Sequence, residues 1–154
     1  MVWEGGERKL TPYPIVIVDL RFQDAESWQR ALQGHLMSPI NSTHYNGIPP
    51  KLFEDLLLET LLFARQAARE DISVAKPMFA MIPAVATVIA SLTLPHVRTI
   101  AVGNTHQLRV RWDSHPEFWG DLLAACRGTD EPAVAALRRQ GKLLFCGELI
   151  ESHQ

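Results

Sequence analysis

The sequence predicts an α+β fold in one domain, with a small mixed or antiparallel sheet of about four strands packed against roughly four to five helices. Three stretches carry this reading. Pro14–Leu20 is a β-branched run, Pro50–Asp71 has amphipathic helical periodicity, and Gln107–Leu149 reads strand, helix, short helix, strand. At 154 residues the chain has the length of a single domain and can bury a core without disulfides.

Residues 1–13 mix Gly5, Gly6 and Pro12 with polar groups and read as a loose lead-in to the first strand. Asp19, near the end of that strand, suits the start of a turn and also has the place of an acid aimed at a site. Asp24–Leu32 follows as a short helix with Ala25, Trp28 and Leu32 on one side. Residues 34–50 then form a long polar loop containing His35, His44 and Tyr45. Its histidines have no carboxylate or cysteine at metal-ligand spacing.

Pro50–Asp71 is the best-marked helix. Pro50 opens it, Glu54 and Asp55 lie early, and Arg65 and Arg69 lie late, as the helix dipole favours. Leu57, Leu61, Ala64 and Ala68 fall on its apolar face. Leu58 and Leu62 fall among its charged residues, where either the long loop or a partner surface would cover them. Val74–Leu94 reads as a core helix started or bent at Pro83. No charge stands between Met78 and Leu94, yet that run is shorter than the ~20 residues of a spanning helix, and prolines punctuate it.

His96–Val102 and Gln107–Trp112, joined across Gly103-Asn104, carry a hairpin signal. In the second strand alternation places Leu108, Val110 and Trp112 on one face and Gln107, Arg109 and Arg111 on the other. Ser114-His115-Pro116-Glu117 has the pattern of a capping box and opens a helix bearing Phe118, Leu122 and Cys126. A shorter helix starts near Thr129, Gly141 ends it, and Lys142–Ile150 returns as a strand.

The net charge of −2 and the lack of a Lys/Arg block leave out the footprint of a nucleic-acid binder. The N-terminus lacks the pattern of a secretory signal, and Cys126 and Cys146 are too few for a disulfide framework, so a reducing, cytoplasmic setting is expected. No phosphate loop, nucleophile elbow or zinc-protease motif appears, and no catalytic residue, metal ligand or cofactor is assigned.

The C-terminal grammar resembles the C-terminal half of sterol carrier protein type 2 (SCP2-like) domains. The resemblance rests on Leu108-Arg109-Val110, Phe118-Trp119 to Leu123, Asp130-Glu131-Pro132-Ala133, Gly141-Lys142-Leu143 and Gly147-Glu148. It implies a sheet and helices enclosing an apolar tunnel for lipids or other hydrophobic molecules. With that, the expected function is non-catalytic binding of a hydrophobic small molecule or lipid. Its site would be walled by Met78, Ile82, Val85, Ile89, Val110, Phe118, Leu122 and Leu144. The alternative is an accessory or scaffold protein acting through a protein surface at Leu58 and Leu62, on a second copy of itself or on another partner.

Overall fold

The computed structural model describes residues 2–3, 15–37, 49–127 and 131–151. Among these the chain is mainly helical, which overturns the expected four-stranded sheet. The strands are β1 (Val2–Trp3), β2 (Ile15–Val16), β3 (Val18–Asp19) and β4 (Arg109–Val110). They form two separate antiparallel ladders, β1 with β2 and β3 with β4. Part of the expected lead-in is therefore paired. The helices are α1 (Ala25–Leu32), α2 (Pro50–Glu70), α3 (Ile72–Phe79), α4 (Pro83–Ser91), α5 (Leu94–Gly103), α6 (Pro116–Arg127) and α7 (Glu131–Glu151). Of the expected loop at 34–50, residues 38–48, including His44, lie outside the described residues; His35 is exposed.

The strand readings failed where a helical period ran beneath a β-rich composition. In the expected first arm of the hairpin, Val97, Ile100 and Ala101 recur at helical spacing and are the residues that bury. The Thr93 side chain accepts the His96 N–H while the His96 ring accepts the Thr93 N–H, so the helix start is capped reciprocally. At the C-terminus Leu137, Gly141 and Phe145 fall on one side of α7 and are buried. Gly141, read as a stop, is an interior helix position. Its propensity cost of about 1 kcal/mol is small beside the burial of neighbours one turn away on each side. The expected last strand, Lys142–Ile150, is helix, and Gly141, expected as a turn, and Gly147, expected near the strand's end, both lie inside α7.

The expected core helix over 74–94 is two helices, α3 and α4, set at 112° to each other. Ala80 ends α3 in the left-handed conformation, φ 54°, and Pro83 starts α4. Among the described residues no single helix is long and apolar enough to cross a membrane.

The long helix α2 is the centre of the body, with α3, α4 and α5 packed on it. Its alanines Ala64 and Ala68 let neighbouring helices approach closely, and Leu57 and Leu61 meet a core that includes Val85, Ile89, Val97 and Ile100. The turn after β3 is pinned to the same core. Phe22 and Trp28 are fully buried and stacked, and Ile82 donates its N–H to the Phe22 carbonyl. Helices α6 and α7 pack mainly on each other. Phe118, Leu137 and Phe145 are buried apart from the main cluster.

Asp24 caps α1, accepting the Ser27 N–H at 3.0 Å and the Ser27 hydroxyl at 2.8 Å. Partial burial pushes its carboxyl up. The Ser27 hydrogen bonds and the Arg21 charge outweigh that and hold it below its ordinary value of 3.8. Because the folded value is the depressed one, the contribution is present above pH 3.8 and lost as pH falls below it. Asp24→Ala is expected to cost about 1 kcal/mol near neutrality. Urea titration should show that difference shrinking below pH 4 or so, as the wild-type carboxyl takes up its proton.

Candidate functional site

A cleft of about 570 Å³ opens between the β3–β4 ladder, the end of α3 and one face of α7. That volume lies within the range of small-molecule sites. Ala80, Val110, Trp112, Leu143 and Leu144 supply its apolar wall; Asp19, Arg21, Asp24, Arg109, Asp113 and Glu148 supply most of its charge. Leu143, at 73% exposure, is the most exposed large apolar side chain among the described residues.

Local chemistry explains how the wall is placed. Asp19 accepts the Phe22 N–H at 3.4 Å, which starts the turn, and its other carboxylate oxygen meets Arg109 at 3.1 Å. The strand-end acid therefore starts the turn, as the sequence allowed, and pairs with Arg109 in the cleft wall. Arg111 is 3% exposed, against the outward face that alternation assigned to it. Its Nε and Nη2 bond the Glu148 carboxylate at 2.7–3.1 Å. Nη1 donates to the carbonyls of Val16 at 3.2 Å and Met78 at 3.0 Å, and Nη2 to that of Pro77 at 3.4 Å. Every N–H of this guanidinium thus has an acceptor, and the rings of Trp112 and Phe145 lie at 5.4 and 5.7 Å. Arg111 ties β2, the end of α3 and α7 together, and so fixes the distance between the cleft walls.

Arg109, two residues earlier, is bound quite differently. Its Nη2 reaches Asp19, its Nη1 stands 3.8 Å from Asp113, and its buried Nε–H has no acceptor among the described residues. The buried indole N–H of Trp112 also lacks one, while the Trp119 indole donates to the Arg111 carbonyl at 3.1 Å.

The backbone is costly in the same place. Arg21, Ala80 and Trp112 are the non-glycine residues with positive φ among those described, at 55°, 54° and 60°, and all three line the cleft. Each such residue carries roughly 1–2 kcal/mol of conformational cost. Gly147, also in the wall, is an interior residue of α7, and a Cβ built there meets nothing within 4 Å. Gly120 in α6 is equally open and lies outside the cleft.

The residues expected to wall an apolar site are divided by the fold. Met78, Val85 and Ile89 are packed in the main core, and Ile82 is half-buried against it. Phe118 is buried and Leu122 half-buried on α6. Val110 and Leu144 are half-buried and line the cleft. Leu58 packs partly buried against the core, whereas Leu62 is 39% exposed. Arg109, Arg111 and Glu148 carried a weak signal, two arginines on a short strand and an acid on a late helix. The signal is lost when the second half of α7, Lys142–Ile150, is taken as a strand.

Among the described residues no cluster of histidine, cysteine and carboxylate side chains could hold a metal ion. Ser114 Oγ lies 3.0 Å from His115 Nδ1, but both are exposed and no described carboxylate stands behind the imidazole. The arrangement lacks the orienting group that an activated serine needs. Comparison with family models, with curated proteins and with solved structures finds no match to this chain.

Proposed function

We propose that the chain is a non-catalytic binding protein for a small amphipathic molecule held in the cleft beside Trp112 and Gly147. The observation that carries this reading is the gathering of Arg21, Ala80 and Trp112, each in a conformation unfavourable for its residue type, around one opening. Ala80 ends α3 and the Trp28 indole pins the turn at Arg21, and what supports a ligand site is that these two and Trp112 all open on one cleft. The exposed Leu143 beside paired charges matches a ligand with an apolar body and a polar end. This reading keeps the expected hydrophobic ligand but moves it from the core face of α4 to the charged rim of β4.

Gly147 provides the test. Gly147→Ala is expected to raise stability by up to about 1 kcal/mol, because it removes a helix-interior glycine without a clash. Gly147→Leu should extend a side chain into the cleft. Native mass spectrometry of gently purified protein should then show a bound small mass on the wild type and none on the leucine variant. Equal occupancy of both proteins, with α7 intact by circular dichroism, would remove the cleft as the binding site.

A further inference from the structure

Resting on that reading of the cleft, we infer that its ligand carries a zwitterionic head: an α-amino acid with a large apolar side chain. Three of the ion pairs in the wall are tight. Arg111 is saturated by Glu148 and three backbone carbonyls, Arg21 pairs closely with Asp24, and Arg109 Nη2 holds Asp19 at 3.1 Å. The contact between Arg109 and Asp113 is the loose one, at 3.8 Å, beyond hydrogen-bonding distance. Both partners are reachable, with side-chain exposures of 32% and 54%. Exposed pairs of this kind contribute little, so separating them costs little.

Each partner is also incompletely matched. Among the described residues the outer Nη1 of Arg109 has nothing closer than that 3.8 Å contact, and Asp113 makes no shorter ion pair. A ligand carboxylate would meet the Arg109 guanidinium in the fork geometry that arginine favours. A ligand ammonium would meet Asp113. The cleft carries Asp19, Asp24, Asp113 and Glu148 against Arg21, Arg109 and Arg111, so a simple anion enters a site already balanced toward negative charge. A zwitterion leaves that balance unchanged. The apolar side chain then lies along Val110, Trp112 and Leu143, which face the same cleft.

Isothermal titration calorimetry on the whole chain tests this with phenylalanine, leucine and tryptophan as probes. For any that binds, its N-acetyl derivative and its carboxamide follow. The zwitterion is expected to bind at one site per chain, and each derivative at least tenfold more weakly. Arg109→Gln should erase the preference over the carboxamide, and Asp113→Asn the preference over the N-acetyl form. The ligand series on the wild type decides the matter even where a variant fails to fold. A derivative that binds as tightly as its parent overturns the inference, as does the absence of binding by all three amino acids. If the amino acids fail while the purified protein still carries a Gly147-dependent mass, the zwitterion is wrong and the cleft reading stands. If that mass is absent as well, both fall.

Discussion

Arg111→Met is expected to lower the unfolding free energy by about 3–5 kcal/mol, among the largest effects of any single substitution in this chain. The loss has two parts. The Glu148 carboxylate, 18% exposed, would keep its charge without the bidentate partner. The carbonyls of Val16 and Met78 would also lose a charged donor. Arg111→Lys preserves the charge but not the fork, so it should recover only part of the loss. The double variant Arg111→Met with Glu148→Leu should be more stable than Arg111→Met alone, because the stranded charge goes with the second substitution. A double-mutant cycle by urea denaturation measures the coupling, expected at roughly 1–3 kcal/mol. A coupling near zero would mean that the hairpin of α6 and α7 is held by something else.

Trp28→Ala is expected to cost about 3–5 kcal/mol. The indole is fully buried and stacks on Phe22 with centroids 5.9 Å apart. Its N–H is shared between the carbonyls of Leu20 at 3.2 Å and Arg21 at 3.1 Å. Removing the ring opens a cavity in the main core, and removing the N–H frees the turn that holds Arg21 at positive φ. Trp28→Phe separates the two. It keeps most of the apolar volume and is expected to cost about 1–3 kcal/mol, the penalty for leaving buried carbonyls unmatched. Thermal unfolding followed by circular dichroism checks both values. Equal losses for the two variants would show that the hydrogen bonds, and not the ring, hold the turn.

The body of the fold was legible where one local rule acted alone. The face of α2 follows from periodicity, and its start follows from Pro50. Asp24 announced the start of α1 and does cap it. The misreadings share one cause, a residue whose local preference was outweighed by packing. Gly141 marks a stop in an isolated helix, yet in α7 it is a buried position between Leu137 and Phe145. Val97 and Ile100 have strand propensity, yet their spacing matches a helix lying on α2.

The cleft was less legible still, because its key contacts join residues distant in sequence. Arg111 meets Glu148 across 37 positions, and Arg109 meets Asp19 across 90. Alternation put both arginines in solvent, since strand period says nothing about an acid arriving from another element. Val110 and Leu144 were identified for their apolar character, and they do share a wall. The left-handed conformations of Arg21, Ala80 and Trp112 left no trace in composition, because positive φ is announced by glycine or asparagine and none of the three is either.

The claim that the cleft beside Gly147 holds a ligand is met most directly by thermal unfolding of the wild type and Gly147→Leu side by side. The panel is a set of amphipathic amines, acids and amino acids at millimolar concentration. A ligand present at one hundred times its Kd adds about 2.7 kcal/mol, which for a chain of this size raises Tm by roughly 5–10 °C. At least one compound should give such a rise in the wild type and none in the leucine variant. A panel that shifts neither protein, or shifts both equally, would contradict the account.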